Sequence, residues 1–213
     1  NEKIKESGEK LFCLIEISVD VTLDPDTAHP NLILSDDAKQ VTHGNTKQKL
    51  SDNKERFNTC VCVLGKEGFS SGRFYYEVQV REKYEWDLGV VRGSVNRKGE
   101  IILNPQDGFW TVVLRNGNEF SACTNPSTSV KEKPQKVGVF VDYEEGLVSF
   151  YDVEASYNIY YFTGQSFTEK LYSYICPCIN DEGNKCSSTD HHTCVEDLMQ
   201  SFLTTYRALR ICC

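Results

Sequence analysis

Hydrophobic and polar residues alternate through the stretch 72–91, whose sequence is GRFYYEVQVREKYEWDLGVV. In its first half, one side carries the apolar residues Phe74, Tyr76, Val78 and Val80. After a charged turn, a second apolar set shares one side, namely Trp86, Leu88 and Val90. A period of two residues is typical of a β-strand with one buried face and one solvated face. The pattern therefore predicts two strands, with Asp87 and Gly89 on the outer, solvent-facing side of the sheet.

Similar short segments, separated by turn signals, recur along the chain. The predicted strands are 32–34, 40–43, 60–64, 74–81, 86–91, 110–115, 119–122, 137–142, 147–152, 157–162 and 172–176. Regular short strands of this kind are typical of an all-β sandwich. Asn116-Gly117 also predicts a two-residue hairpin loop, because both positions require a positive φ. The predicted fold class is all-β, a two-sheet antiparallel β-sandwich with long polar connectors at 44–56, 93–108 and 124–135.

The two ends of the chain depart from this pattern. Residues 1–18 fit a strand and a helical stripe about equally well, so a short helical or extended lead remains open. Near the other end, Thr193 and Glu196 have the spacing of a helix capping box. Apolar residues follow at helical intervals, which predicts a C-terminal helix over residues 194–210.

An ordered set of short motifs resembles the landmarks of PRY-SPRY domains, the C-terminal recognition modules of tripartite-motif (TRIM) ubiquitin ligases. The motifs are LDP at 23–25, LG at 64–65, FSSG at 69–72, YYEV at 75–78, WDLGV at 86–90, FWTV at 109–112 and VDYE at 141–144. The resemblance runs from about Val19 to Asn184, and the sequence is most similar to fish members of the group.

The resemblance implies a division of the chain. Residues 1–18 would be a linker from a coiled coil, and residues 19–184 the PRY-SPRY domain, with the PRY part at about 19–70 and the SPRY part at about 71–184. Family members continue into a final apolar strand that completes a sheet. Residues 185–213 read instead as an atypical tail with the predicted helix, which leaves the C-terminal sheet edge without its strand.

Net charge and targeting signals narrow the classes of partner. A formal net charge of −8 argues against a nucleic-acid backbone as the main partner, because phosphate binding needs clustered Lys and Arg. No apolar run approaches the roughly 20 residues that cross a bilayer. No signal peptide and no Asn-x-Ser/Thr sequon are visible in the sequence. These features favour a cytoplasmic protein without membrane contact, and the first residue, Asn1, suggests a fragment of something longer.

The ten cysteines do not have the placement of a disulfide framework. Several lie in apolar, strand-like runs, where a free thiol behaves as a small hydrophobic group: Cys60, Cys62, Cys123, Cys176 and Cys178. Two Cys-x-Cys pairs could meet across a sheet as a zinc site, although zinc ligands usually have wider spacing. A second cluster, of Cys186, His191, His192 and Cys194, reads more readily as a polar loop. No metal and no cofactor are therefore predicted.

Catalytic motifs are absent from the sequence. It has no phosphate-binding glycine loop and no HExxH motif. RING or B-box cysteine and histidine spacing is also missing, so this chain is predicted not to be an enzyme. Its parent is expected to be a RING-type E3 ubiquitin transferase that dimerises through a coiled coil outside this chain.

The resemblance to PRY-SPRY domains implies a protein-binding site. Carried onto this sequence, its positions are Asp87, Val113, Arg115, Ile179, Asn180 and Asp181. A carboxylate and a guanidinium would flank an apolar floor and anchor a partner. The alternative is that Asp87 and Arg115 only pair with each other on a solvated face. Burial of the carboxylate would rule out the docking role expected for it.

The implied function is recognition of a target protein through variable loops, for a TRIM-like ligase in innate immune or antiviral response. Two other parents for the same domain stay open. One is a NOD-like receptor, in which the domain is a C-terminal sensor. The other is a secreted pore-forming toxin of the stonefish type, whose partner would be a membrane or a receptor.

Overall fold

Thirteen strands, in chain order, make up the secondary structure of the described residues. The structure, a computed structural model, describes residues 17–124, 126–130, 133–178 and 209–212, the last four by their backbone alone. The strands are β1 (Leu32–Leu34), β2 (Gln40–His43), β3 (Val63–Phe69), β4 (Arg73–Gln79), β5 (Trp86–Arg92), β6 (Phe109–Arg115), β7 (Glu119–Ala122), β8 (Thr128–Val130), β9 (Lys136–Asp142), β10 (Leu147–Asp152), β11 (Tyr157–Phe162), β12 (Leu171–Cys176) and β13 (Leu209–Cys212).

The strands form two sheets, as the alternation predicts. One sheet has seven strands in the order β1-β2-β13-β4-β9-β10-β11, and the other has six in the order β3-β12-β5-β6-β7-β8. All strand pairs are antiparallel except those of β13, which pairs in parallel with β2 and β4. The predicted all-β, two-sheet fold is confirmed. Among the described residues, no helix is long and apolar enough to cross a membrane.

The predicted inward-facing residues form the core between the two sheets. Phe74, Tyr76 and Val78 of β4 meet Trp86 and Leu88 of β5, and all are at most 2% exposed. The hydroxyl of Tyr76 donates a hydrogen bond to the carbonyl of Gly89 at 2.6 Å, so its buried polar atom is satisfied. The sandwich is therefore held by the residues whose alternation is visible in the sequence.

A second apolar cluster covers the outer face of the six-stranded sheet. Its buried members are Phe57, Cys62, Leu64, Val91, Val95, Phe109, Tyr174 and Cys176. These residues alternate along their strands with residues of the central core, so β5 is buried on both faces. The expectation of a solvated outer face is wrong at this place, because connectors 53–62 and 93–104 fold over the sheet.

Strand bounds differ from the predicted ones where apolar alternation is weak. The predicted bounds of β1, β2, β7, β10 and β11 agree with the structure. β3 begins at Val63 and continues through Gly65–Phe69, a segment without apolar alternation. Its partner β12 has a register shift between Tyr172 and Tyr174. β8 is a short edge strand within a segment predicted as a connector. The Asn116-Gly117 loop has the expected positive φ at both positions, although the pairing of Arg115 with Glu119 makes it three residues long.

The end of the chain supplies a strand where a helix is predicted. Most of the predicted helix, residues 194–208, lies outside the described residues. Its last two residues, Leu209 and Arg210, belong to β13, which fills the position between β2 and β4. Backbone pairing of Ile211 with Val41 covers the sheet edge that the missing strand would have paired, a point that the sequence left open. Of the predicted lead, the structure describes Ile17 and Ser18, and Ser18 forms a parallel bridge with Tyr75.

Gly89 is the glycine that the sheet requires. Its φ is +152°, and a Cβ at this position would lie 2.2 Å from the carbonyl oxygen of Trp110. We expect Gly89→Ala to lower the free energy of unfolding by about 3 kcal/mol, because the neighbouring backbone cannot move away. Urea denaturation measures this loss.

Gly72→Ala is the matched control, since Gly72 has a φ of +73° and nothing within 4 Å of the added carbon. In the control, backbone strain at positive φ is the only cost, and it lowers the free energy of unfolding by about 1 kcal/mol. Equal losses in the two variants would show that strain alone, and not the contact with Trp110, sets the requirement at Gly89.

Strand β13 is expected to protect the seven-stranded sheet. Truncation after residue 208 leaves the facing edges of β2 and β4 without partners, and unpaired edges bind other chains. The truncated chain should therefore aggregate at a lower temperature than the full chain in light scattering during a thermal ramp. Removal of Cys213 alone keeps β13 and should leave the aggregation temperature unchanged. Identical behaviour of both truncations would contradict the role of β13.

Candidate functional site

The candidate site begins with a row of residues across the outer face of the six-stranded sheet. Strand register places Asp87 of β5 between Cys176 of β12 and Val113 of β6. Arg115 lies two residues beyond Val113, on the same face of β6. The sheet therefore brings Asp87 and Arg115 together, as the resemblance implies.

Asp87 is on the predicted face, but its carboxylate is buried. The residue is 5% exposed, because the outer apolar cluster covers this part of the sheet. The expectation that Asp87 is a solvated carboxylate open to a partner is therefore wrong. Burial raises the pKa of the Asp87 carboxyl, and the charge and hydrogen bond of Arg115 oppose that increase.

Arg115 connects the buried carboxylate to the surface. Its Nη1 forms an ion pair with Oδ1 of Asp87 and donates to the carbonyl oxygens of Leu114 at 2.9 Å and Trp86 at 3.2 Å. The side chain is nevertheless 37% exposed. Burial is the largest single influence on Arg115 and would lower its pKa, but the charge and hydrogen bond of Asp87, together with the nearby Cys176 and Cys178, raise this pKa above its usual value. The side chain is therefore charged, fixed in position and partly exposed.

Asp87 and Arg115 lie in the wall of a cavity of about 380 Å³. Its other lining residues are Cys60, Val61, Cys62, Glu85, Ile101, Leu103, Tyr174, Cys176 and Cys178. Ile101 and Leu103 come from the connector 93–108, which the sequence predicts only as a polar loop. Ile102, between them in sequence, is 73% exposed and does not line the cavity. The site thus combines one fixed cation with apolar walls.

Hydrogen bonds hold the two connectors that roof the site. Arg97 is only 9% exposed, pairs with Glu55 and donates to the carbonyl of Gly93 at 2.9 Å. Lys98 donates to Asp52 at 2.8 Å, and the backbone N–H of Gly99 donates to Asn58 at 2.8 Å. The cavity is therefore preformed, because both of its loop walls are anchored to each other.

Cysteine thiols line the cavity beside Asp87. The Sγ atoms of Cys176 and Cys178 are 3.7 Å apart, and Cys178 Sγ is 3.8 Å from Oδ1 of Asp87. On the neighbouring segment, Cys62 Sγ lies 2.9 Å from the hydroxyl of Tyr174. A hydrogen bond with Cys62 lowers the pKa of Cys60 to about 7, whereas burial raises the pKa of Cys62. All four cysteines are free.

The other predicted site residues are less informative. Val113 is 8% exposed and lies beside Asp87 by register, but it does not line the cavity. Ile179, Asn180 and Asp181 lie outside the described residues.

Sequence reasoning missed the cysteine, tyrosine and leucine side chains of the cavity as site residues. The two Cys-x-Cys pairs were the signal that could have found four of them.

The fold and these motifs agree with the match to known families. The SPRY-associated domain, PRY, matches residues 21–69, and the SPRY domain matches residues 73–190. The chain belongs to the PRY-SPRY family.

Several curated relatives share most of this chain. Nuclear factor 7, ovary, of Xenopus laevis is 50% identical over 163 residues, which are 76% of this chain and 27% of that protein. E3 ubiquitin-protein ligase TRIM69 of Rattus norvegicus is 48% identical over 164 residues, 76% of this chain and 33% of that protein. Pyrin of Homo sapiens is 45% identical over 168 residues, 78% of this chain and 22% of that protein. The chain thus spans a third or less of the length of these relatives.

Solved structures show the same fold at lower identity. The TRIM65 PSpry domain has a TM-score of 0.68 and 21% identity, and the match covers 78% of this chain and 88% of that one. Stonustoxin has a TM-score of 0.65 and 22% identity, and the match covers 76% of this chain and 27% of that one. At these sequence identities, the similarity shows a shared fold.

The pairing of Arg115 with Asp87 predicts a pH-dependent loss of stability in Arg115→Gln. Without the guanidinium, the folded-state pKa of Asp87 moves further above its unfolded value. The folded state then binds more protons than the unfolded state from about pH 4 upward, so stability falls as the pH rises. We expect the loss relative to the wild type to be small near pH 4 and about 1–3 kcal/mol at pH 7, measured by urea denaturation across that range.

Arg81→Gln is the control, because Arg81 pairs at 4.0 Å with Glu154 and both side chains are about half exposed. Such an exposed pair contributes about 0–1 kcal/mol, with little change over the same pH range. A pH-independent loss in Arg115→Gln would contradict the burial of an ionised Asp87.

Proposed function

We propose that this domain recognises a target protein for a TRIM-like E3 ubiquitin ligase, and that the cavity around Arg115 is the recognition site. The observation that carries the proposal is the anchored cavity in which the partly exposed side chain of Arg115 meets apolar walls. Arginine with surrounding apolar surface is a frequent composition of energetic centres in protein interfaces. Support for the class of parent comes from relatives that are named E3 ubiquitin-protein ligases.

Because Asp87 is buried, its role in this proposal is indirect. A carboxylate that is 5% exposed positions Arg115 and does not itself contact a partner. The free side of the guanidinium accepts a carboxylate or a carbonyl group of the target, since both match its donors. Ile102 and the walls at Ile101 and Leu103 provide the apolar part of the contact.

The parent protein supplies what this domain lacks. Ubiquitin transfer would come from a RING domain, and a coiled coil would pair two copies and thus two recognition domains. We place this parent in the cytoplasm, in an innate immune or antiviral response, in a fish. The domain itself needs no cofactor and binds neither nucleic acid nor membrane in this proposal.

The two other parents differ in what accompanies the domain. A NOD-like receptor would carry leucine-rich repeats upstream of it, whereas a ligase would carry a coiled coil. A stonefish-type toxin would direct the domain to a receptor or a membrane, and the fold likeness to stonustoxin is the observation that keeps this alternative.

The recognition site can be tested at a position that the fold does not need. Ile102 is 73% exposed, so Ile102→Asp is expected to leave the melting temperature unchanged and to abolish most target capture. The readout is affinity capture from a cytosolic extract with the isolated domain, read by quantitative mass spectrometry. Arg115→Lys, which keeps the charge but loses the planar donors, should lower capture of the same proteins about tenfold.

Ile33→Asp is the matched control, because Ile33 is a 52% exposed isoleucine on β1 of the other sheet. The control should capture the same proteins as the wild type. Unchanged capture by Ile102→Asp, or equal loss in both isoleucine variants, would contradict a recognition site at this cavity.

A further inference from the structure

A second carboxylate, that of Glu85, lies in the wall of the cavity that Arg115 lines. Register pairs Trp86 of β5 with Leu114 of β6, so the next pair toward this end of the sheet is Glu85 and Arg115. A hydrogen bond fixes the carboxylate there, because the N–H of Asn116 donates to Oε1 of Glu85 at 3.1 Å. The cavity therefore carries a carboxylate and a guanidinium side by side.

The negative charge of Glu85 is not balanced within the described part of the chain. Asp87 already forms the ion pair with Arg115, and these two charges cancel. Glu85 is half-buried and belongs to no ion pair among the described residues. A partner that brings a positive group therefore complements this wall better than an acidic partner does.

The rest of the wall is largely apolar and suits a single side chain. Val61, Ile101 and Leu103 line it, together with Tyr174. The cavity volume of about 380 Å³ is near the lower end of the roughly 300–1,000 Å³ that is typical of small-ligand sites. Such a cavity accepts one large apolar side chain with its own backbone, and not the folded surface of a domain.

The N-terminal residue of a protein presents a positive group, a carbonyl oxygen and a side chain from one Cα atom. Residues opposite each other on neighbouring strands have Cβ atoms about 4.5–5.5 Å apart, so Glu85 and Arg115 can bind the ammonium group and the carbonyl oxygen of the same residue. A lysine within a chain carries its charge at the far end of a long side chain. It would leave the apolar walls without a matching group.

We propose that the cavity binds the free N-terminus of a target protein whose first residue has a large apolar side chain. Glu85 accepts a hydrogen bond from the α-ammonium group, Arg115 donates to the carbonyl oxygen, and the side chain packs against the apolar walls. Most α-amino groups are protonated at pH 7, because their pKa is about 7.7–8.0. This inference rests on the proposed function and adds the class of target to it.

An acidic segment or a C-terminal carboxylate fits the cavity less well. Either group would pair with Arg115, but it would also approach the carboxylate of Glu85, which the hydrogen bond from Asn116 holds in place. Like charges at short distance oppose binding. A backbone carbonyl oxygen binds the guanidinium without this repulsion.

The test measures binding of synthetic peptides to the chain at pH 7 by fluorescence anisotropy. The probes are Leu-Ser-Gly-Ser-Lys with fluorescein on the lysine side chain, the same peptide with an acetylated N-terminus, and the same peptide with Asp in first position. We expect the free leucine peptide to bind about tenfold or more tightly than either of the others, since one loses a charge-assisted hydrogen bond and the other loses the apolar contact. Leucinamide should compete with it better than free leucine, whose carboxylate would face Glu85.

Glu85→Gln tests the contact with the ammonium group. The variant keeps an oxygen for the N–H of Asn116, so its melting temperature should not change. It loses the charge, so the free and acetylated peptides should bind equally. Glu154→Gln is the matched control, because Glu154 is 49% exposed, pairs with Arg81 and does not line the cavity. This control should keep the tenfold preference.

Equal binding of the free and acetylated peptides by the wild type, or a preference that persists in Glu85→Gln, would overturn the inference. Stronger competition by free leucine than by leucinamide would overturn it as well. Affinity capture separates this failure from that of the recognition site. Targets that need Arg115 but are captured equally well by Glu85→Gln would contradict N-terminal recognition alone, whereas full capture by Arg115→Lys would contradict the recognition site itself.

Discussion

The Asp87–Arg115 ion pair is the contact on which the candidate site depends. A buried carboxylate is costly unless a positive charge and hydrogen bonds compensate it, and removing one partner leaves the other charge uncompensated. Arg115 makes this compensation and also donates to two backbone carbonyls. Its guanidinium is therefore fixed in one position, and Arg115 lines the cavity. An exposed arginine without such a partner would lose more side-chain entropy on binding a target.

The cavity exists because the outer face of the six-stranded sheet is covered in part. Apolar residues such as Phe57 and Phe109 pack onto Tyr174, with ring centroids 6.2 Å and 5.7 Å apart. The connectors that carry the cover are held by Arg97 and Lys98, which donate to the opposite connector. A rigid wall is thus built from segments with no regular secondary structure. Variation in such connectors could change the target without changing the sandwich.

The sandwich was largely predictable from sequence because its core residues alternate visibly. Phe74, Tyr76 and Val78 are spaced two residues apart, as expected for the inward face of a strand, and all three lie in the core. Asp87 was placed on the correct face but wrongly in solvent, because burial there comes from residues of distant connectors. β13 was missed because Leu209 and Arg210 continue a helical spacing, and its parallel pairing with β2 is a tertiary contact.

The site residues show the same contrast between features that are visible in the sequence and features that depend on tertiary contacts. Asp87 and Arg115 were found through short motifs, whereas Ile101 and Leu103 were not, because a connector has no periodic pattern to assign its side chains. The cysteine pairs were noticed, but a spacing of two residues argued against a metal.

The central claim is that Asp87 acts on target binding through Arg115 and not by direct contact. A double-mutant cycle with Asp87→Asn and Arg115→Gln, read as target affinity by calorimetry, tests it most directly. The account predicts that Asp87→Asn weakens binding when Arg115 is present and has no effect in the Arg115→Gln background, a coupling of about 1–2 kcal/mol. Additive losses would show that each side chain contacts the target separately and would contradict the account.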